Sequence, residues 1–173
     1  MTRRIELSIA GANTLAKPFR YTASGLDNIY LRSGVAIEKT PYGPMVTIDD
    51  LDGLHHAIGL HIVEQQRPVT GAEFRFLRKQ MGLTQRELAR LMSVTDQTVA
   101  NYEKGKTADL GPADPLIRLI YLVHVLPDET RAGLLKAATS DAAGVKLRAR
   151  LPAMPKRKLV QRWRVGDLKA AAA

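Results

Sequence analysis

The sequence predicts an α+β domain followed by an all-α domain of five short helices. Three observations support this prediction. The first 48 residues hold β-rich runs separated by turn residues, the middle of the chain repeats helix-start signals, and apolar residues recur there every three or four positions. We place the α+β domain at residues 1–66, the all-α domain at 67–138 and a basic, flexible tail at 139–173.

The N-terminal domain is predicted to combine β-hairpins with one helix. Residues 4–9 alternate between apolar and polar side chains, which is typical of a half-buried strand. Residues 35–39 and 45–48 flank the turn-forming letters TPYG and predict a hairpin. A group of aspartates then precedes an apolar pattern that ends before Pro68, which predicts a helix with acids at its positive end.

The second domain opens with two identical helix-start signals. Thr70 precedes Glu73 by three residues, and Thr84 precedes Glu87 by three. Each pair can form a capping box, in which the hydroxyl and the carboxylate satisfy backbone amides that the first helical turn leaves unpaired. Thr95 is a third candidate for a helix cap.

These signals delimit three short helices, at residues 72–81, 84–92 and 95–104. The connection at residues 92–94 is too short for an antiparallel hairpin and fits two steeply crossing helices, the helix-turn-helix arrangement. Apolar residues at three- and four-residue intervals give the helices one shared core. A fourth helix after a proline-rich turn and a fifth at residues 128–138 complete the domain.

The segment LTQRELARLMSVTDQTVANYEKGK, residues 83–106, resembles the Cro and phage-repressor (XRE) type of helix-turn-helix. That family has the pattern Leu-Thr-Gln-x-Glu-Leu-Ala, a three-residue turn and a recognition helix that closes in Glu-x-Gly. The resemblance implies a Cro/repressor-type fold for the five-helix domain and double-stranded DNA as its partner. Our leading hypothesis is a transcriptional repressor that binds a palindromic operator as a homodimer.

The resemblance also assigns roles to individual residues. It implies base reading by Asp96, Gln97 and Asn101, and amide side chains can bond adenine through two hydrogen bonds. Asp96 can only accept a hydrogen bond, as from the cytosine amino group. Five other residues are expected to contact phosphates: Gln85, Thr95, Thr98, Lys104 and Lys106. Arg78 and Glu103 are expected to form a structural ion pair.

The predicted fourth helix is apolar around most of its circumference. Four of its residues are predicted to face the core of their own chain: Leu116, Leu119, Ile120 and Val123. Three others are predicted to form an isologous dimer contact: Ile117, Tyr121 and Leu122. A helix that is fully covered within one chain is the alternative.

The phrase YTASGLDNIYLRSG is similar to part of the β-rich domain of MqsA-like antitoxins, which also precedes a Cro-type helix-turn-helix. The likeness implies an autorepressor with a toxin or another protein as partner of the N-terminal domain. The zinc-binding cysteines of that family are absent, because the chain has no cysteine. His56 and His61 lie about 140° apart around a helix, so they do not replace them, and we predict neither a metal nor a cofactor.

The charge of the chain indicates a polyanionic partner. The net charge is +9 and the pI is about 10.0. Residues 145–169 hold nine Lys or Arg against the single acid Asp167, a surplus of +8. Such a tail can bind phosphates without sequence preference, and a solvated solubility tail is the alternative.

Several classes of function are disfavoured by what the sequence lacks. No apolar run reaches the length of a membrane span, and the N-terminus lacks the apolar core of a secretion signal, so we expect a cytoplasmic protein without membrane contact. No catalytic motif is present, so we expect no enzyme activity. The alternative function is an adaptor that binds a protein or ligand and holds nucleic acid nonspecifically through its basic tail.

Overall fold

The computed structural model describes residues 4–107, 109–127, 129–132 and 162–166 of the 173-residue chain. The chain divides into two compact units. The first unit comprises Met1–His61 together with Leu159–Ala173, and the second comprises Ile62–Lys158.

The first unit contains six strands within the described ranges: β1 (Ile5–Ile9), β2 (Phe19–Arg20), β3 (Ile29–Leu31), β4 (Val35–Thr40), β5 (Gly43–Ile48) and β6 (Trp163–Gly166). Four of them form a mixed sheet in the order β2-β3-β1-β6. Strand β1 runs parallel to β3 and antiparallel to β6, and β2 runs antiparallel to β3. The predicted α+β character of this part of the chain is therefore present, although one strand comes from near the C-terminus.

Strands β4 and β5 form a separate two-stranded hairpin. Val35 pairs with Ile48 and Thr40 with Gly43, so two residues make the turn. Gly43 has a φ of +118°, which residues with a β-carbon rarely adopt. The hairpin predicted from the letters TPYG is confirmed.

A helix follows the hairpin and completes the core of the first unit. It is α1 (Leu51–Glu64), which begins directly after Asp49 and Asp50 and has Asp52 in its first turn, so the predicted acids lie at its start. Alternate residues of β1 are buried, as the sequence pattern predicted. The buried side chains come from the strands and from this helix: Ile5, Leu7, Ile9, Ile29, Leu31, Leu54, Ala57, Ile58 and Trp163.

Strand β6 corrects the prediction of a flexible tail at residues 139–173. Trp163 is fully buried, and its indole nitrogen donates to the carbonyl oxygens of Asp49 and Asp50 at 3.1 and 3.0 Å. Backbone pairing with β1 and burial of a large aromatic side chain fix residues 163–166 in the sheet. The charge count could not reveal this strand, because Trp163 stands between two arginines. Residues 139–161 and 167–173 of the predicted tail lie outside the described residues.

The second unit contains four further helices: α2 (Gly71–Gln80), α3 (Gln85–Met92), α4 (Asp96–Glu103) and α5 (Ala113–Val125). Thr70 and Thr84 accept hydrogen bonds from the amides of Glu73 and Glu87, so both predicted capping boxes are confirmed. Residues 129–132 are helical as well, and the remainder of the predicted fifth helix lies outside the described ranges. None of the described helices is both long and apolar enough to cross a bilayer.

Helix α5 turns a different face to the core than predicted. Ile117 and Tyr121 are 0% and 1% exposed, whereas Leu119 and Leu122 are 57% and 41% exposed. The prediction that Ile117 and Tyr121 contact a second copy is therefore wrong, as is the prediction that Leu119 faces the core. At Leu122 the dimer contact stays a prediction.

Arg118 gives the physical reason for this rotation of α5. Its guanidinium donates at 2.6 to 3.1 Å to four carbonyl oxygens, those of Ile62, Val63, Gln65 and Arg67. It also pairs with Asp114 at 2.5 Å, and Asp114 accepts the amide of Val69 at 2.9 Å. These charge-assisted hydrogen bonds fix which face of the helix turns inward. The apolar pattern alone could not decide it, because apolar residues lie on every side.

Candidate nucleic-acid interface

Helices α3 and α4 are joined by a sharp turn that begins at Ser93. This residue has φ 57° and ψ 37°, the left-handed conformation that commonly ends a helix. The amide of Val94 returns to the carbonyl of Ala89 at 3.0 Å. Thr95 then caps α4 by accepting the amide of Thr98 at 3.1 Å. A three-residue connection, residues 93–95, is therefore present, one position later than the predicted 92–94.

The end of α4 lies directly against the start of α2. A β-carbon at Gly71 would come within 2.5 Å of the carbonyl oxygen of Tyr102 and within 2.9 Å of that of Glu103. Glycine is therefore needed at position 71 for the two backbones to approach. The rings of Phe74 and Tyr102 pack at a centroid distance of 5.6 Å beside this contact. Close backbone approach and aromatic packing together hold α4 in a fixed orientation.

An ion pair and an amide fix the same end of α4. Arg78 donates to Glu103 at 2.5 and 3.2 Å and to the carbonyl of Leu83 at 2.6 Å, so the pair implied by the family resemblance is present. Gln85 donates to Glu103 at 2.9 Å. Burial disfavours the charged form of Glu103, but the hydrogen bonds from Arg78 and Gln85 outweigh it and lower the pKa of this carboxyl.

The opposite side of α4 is exposed and carries the predicted base-reading residues. Gln97 is exposed and Asn101 half-buried, and the Gln97 amide donates to the Asn101 oxygen at 3.1 Å. The two side chains therefore lie side by side, one helical turn apart. Asp96 is exposed but its carboxylate accepts the amide of Gln97 at 2.9 Å, so it serves the first turn of the helix. The pair of amides keeps further donor and acceptor positions for a ligand.

A family model described as helix-turn-helix matches residues 74–111. This segment is a Cro/repressor-type helix-turn-helix. The comparisons with curated proteins and with solved structures found no match. The matched residues include most of α2 and all of α3 and α4. The helix-turn-helix makes the protein a DNA-binding transcription regulator, and α4 lies where the sequence predicted the recognition helix.

The residues predicted to contact phosphates lie within the helix-turn-helix, at the ends of its helices. Lys104 and Lys106 are exposed at the end of the recognition helix. The hydroxyls of Thr95 and Thr98 lie 2.8 Å apart at its start. Gln85 is half-buried, and its bond to Glu103 holds it at the start of α3.

Two further basic residues of this segment were not among the predicted phosphate contacts. Arg86 and Arg90 are both exposed on α3. Their basic character and their place on the same helix as Gln85 were the available signals. Among the described residues, no group of three or more His, Cys, Asp or Glu is arranged to hold a metal ion.

Proposed function

We propose that the protein is a transcriptional repressor that binds a palindromic operator as a homodimer. The observation that supports this best is the pair of amides formed by the exposed Gln97 and the half-buried Asn101, one turn apart on the recognition helix. Amide side chains read adenine in the major groove, where each base pair presents a distinct set of donors and acceptors. One carboxylate oxygen of Asp96 accepts the Gln97 amide, and the other oxygen would be the one to accept a hydrogen bond from a base.

Contacts to the DNA backbone would orient the recognition helix. The hydroxyls of Thr95 and Thr98 lie at its N-terminus, where the helix dipole favours phosphate oxygens. Lys104 and Lys106 supply positive charge at its other end. Gln85 would reach a phosphate from the start of α3. These contacts fix position and register, whereas the amides of α4 choose the sequence.

A two-fold dimer would place two recognition helices one helical turn of DNA apart. The apolar residues available for such a contact on α5 are Leu119 and Leu122, which are exposed in the single chain. They lie three positions apart and so share one side of the helix. This pair replaces Ile117 and Tyr121 as the proposed dimer contact, because those two side chains are buried in the core of their own chain.

A second candidate function is an adaptor that binds another protein through the first unit, as an antitoxin binds its toxin. One observation favours it. The β4–β5 hairpin exposes Ile37, Met45 and Val46, three large apolar side chains on a two-stranded sheet. An autorepressor would combine this contact with the DNA-binding activity of the second unit.

Selection of bound duplexes from a random pool, followed by titration of single variants, tests the main proposal. Gln97→Ala and Asn101→Ala should each weaken operator binding by about 1 to 3 kcal/mol, roughly 5- to 150-fold, and leave binding to random DNA nearly unchanged. Gln66→Ala, which removes an exposed amide outside the helix-turn-helix, is the control. Equal losses on operator and random DNA would instead support the adaptor.

A further inference from the structure

The mixed sheet of the first unit has one face that its core does not use. The inner face carries Leu7, Ile29 and Leu31, which are all fully buried. Strand register places the alternate side chains on the outer face. Four positions form one row across β2, β3, β1 and β6: Arg20, Tyr30, Glu6 and Gly166. Ser8 and Arg164 form the next row.

Arginine is the main charged residue of this outer face. Four arginines and one carboxylate lie on it or at its margin, and we call this set the arginine face: Arg4, Arg20, Arg32, Arg164 and Glu6. Four positive charges and one negative charge leave a surplus of +3. The side chains of Arg4 and Arg32 are 44% and 41% exposed, and Arg20 and Arg164 are exposed as well.

Neighbouring groups already hold three of these arginines in place. The guanidinium carbon of Arg4 lies 4.0 Å from the centre of the Tyr30 ring, a cation–π contact. Glu6 accepts Arg4 at 3.0 Å and lies 3.7 Å from Arg32, so one carboxylate positions two guanidinium groups. Arg20 donates to the carbonyl of Asp27 at 3.1 Å. Side chains that are ordered before binding lose less entropy when a ligand arrives.

The dimensions of the arginine face favour a polymer with repeated negative charges. Arg20 and Arg164 lie on the two outer strands, three inter-strand steps of about 4.8 Å and hence about 14 Å apart. Successive phosphates of a polymer can therefore each contact one of the two arginines. Guanidinium groups match phosphate oxygens through paired hydrogen bonds.

The composition of this face disfavours a membrane surface. The large apolar side chains that are exposed in the described part of the chain all lie elsewhere: Ile37, Tyr42, Met45, Val46, Leu51, Leu119 and Leu122. A protein surface that binds at a bilayer usually inserts such side chains beside its basic residues.

We infer that the arginine face binds the phosphodiester backbone of duplex DNA, in addition to the contacts of the recognition helix. This inference rests on the proposed function, because a chain whose helix-turn-helix holds DNA exposes its other basic surfaces to a high local concentration of phosphates. Arg164 belongs to the basic C-terminal stretch, and strand β6 turns it into a fixed part of this surface.

The salt dependence of DNA binding by the full-length protein tests the inference. Each phosphate contact contributes about 0.9 to the slope of log affinity against log salt. Arg20→Gln with Arg164→Gln should therefore lower the slope by about 1.8. Raising the salt from 50 to 200 mM should then weaken the variant roughly tenfold less than the wild type. Arg20→Lys with Arg164→Lys retains both charges and should retain the slope.

Two controls separate loss of charge from loss of structure. Lys39→Gln removes one exposed charge from the hairpin, which pairs only with itself, and should leave the slope unchanged. Fluorescence of the chain's one tryptophan, Trp163, reports whether β6 is still buried in each variant. Titration with poly-L-glutamate provides the comparison with an acidic protein.

The possible outcomes distinguish this inference from the proposed function. An unchanged slope in the double glutamine variant, with Gln97→Ala still lowering operator preference, would remove the arginine face from the DNA interface and leave the repressor proposal intact. If the double glutamine variant lost binding to poly-L-glutamate but kept binding to DNA, the arginine face would be assigned to an acidic protein partner. A wild-type protein that binds no duplex at any salt concentration would overturn both proposals.

Discussion

Gly34 lies against the ring of Trp163, so that a β-carbon at position 34 would come within 2.8 Å of one ring carbon and 2.9 Å of another. The same atom would lie 2.6 Å from the δ-carbon of Ile9. Gly34 also has a φ of +72°, the left-handed region that disfavours a side chain. One residue therefore gives both the turn that leads into the hairpin and the space in which the indole ring of β6 packs.

The first prediction concerns the free energy of unfolding of variants at this glycine. Gly34→Ala should lose about 1 to 2 kcal/mol from the left-handed conformation and a further 1 to 3 kcal/mol from overpacking against Trp163. Gly11→Ala is the matched control, since Gly11 has a φ of +79° with no atom within 4 Å of the added carbon. Urea titrations followed by tryptophan fluorescence measure the difference. Equal losses in both variants would show that the ring of Trp163 does not pack against residue 34.

The second prediction concerns the ion pair at the end of the recognition helix. The side chains of Arg78 and Glu103 are 11% and 5% exposed, so Glu103→Gln would leave a largely buried guanidinium without its counter-charge. We expect a loss of about 3 kcal/mol in the free energy of unfolding, the usual cost of removing one partner of a buried pair. Glu64→Gln, at an exposed position, should cost much less. Thermal unfolding measures both variants, and equal losses of stability in Glu103→Gln and Glu64→Gln would contradict a structural role for this pair.

The third prediction concerns self-association through α5. Leu119→Glu with Leu122→Glu should weaken the proposed dimer at least tenfold, because burying one leucine contributes about 1.5 to 3 kcal/mol and the new carboxylates repel each other. Val46→Glu changes a side chain on the hairpin that is 42% exposed, close to the 41% of Leu122, and should leave the dimer intact. Sedimentation equilibrium gives the dissociation constants. If Val46→Glu lost the dimer and the double leucine variant kept it, the dimer contact would lie on the hairpin and not on α5.

The fourth prediction concerns the pH dependence of stability in the first unit. Burial lowers the pKa of His55 below its ordinary value of 6.5, an effect that the charge of Asp52 opposes. The unfolded chain therefore takes up a proton more readily than the folded chain, and the stability that His55 contributes above pH 6.5 should fall as the pH drops below that value. The hydroxyl oxygen of the buried Tyr21 lies 2.7 Å from the Nε2 atom of the half-buried His55.

Urea midpoints followed by tryptophan fluorescence between about pH 5 and 7.5 measure this effect. His55→Gln should reduce the pH dependence, whereas Lys39→Gln, at an exposed position on the hairpin, should retain it. Stability that rose as the pH fell through this range in the wild type would have the opposite sign and would contradict a lowered pKa of the half-buried His55.

The elements that the sequence predicts correctly are those that local chemistry determines. Helices α2 and α3 each begin at a Thr-x-x-Glu capping box, a signal contained within four residues. The hairpin depends on a two-residue turn and on its flanking strands, which are adjacent in the sequence. The outward position of Gln97 follows from the inward position of Val99, which is fully buried two residues later.

The features that escaped prediction depend on contacts between distant residues. The parallel pairing of β1 with β3 and the addition of β6 both depend on partners that no local pattern specifies. The rotation of α5 depends on Arg118 and on carbonyl oxygens more than 50 positions earlier, such as those of Gln65 and Arg67. Neither periodicity nor charge counting contains this information.

The position of β6 has a consequence for how the chain folds as it is made. Ile9 pairs with Trp163, which is synthesised 154 residues later (163 minus 9). At about 5 to 20 residues per second the ribosome needs roughly 8 to 30 s for that interval. During this time β1 is an unprotected edge, while every helix of the helix-turn-helix has already been translated. The helix-turn-helix can therefore fold first, and the sheet is completed only after β6 has been synthesised.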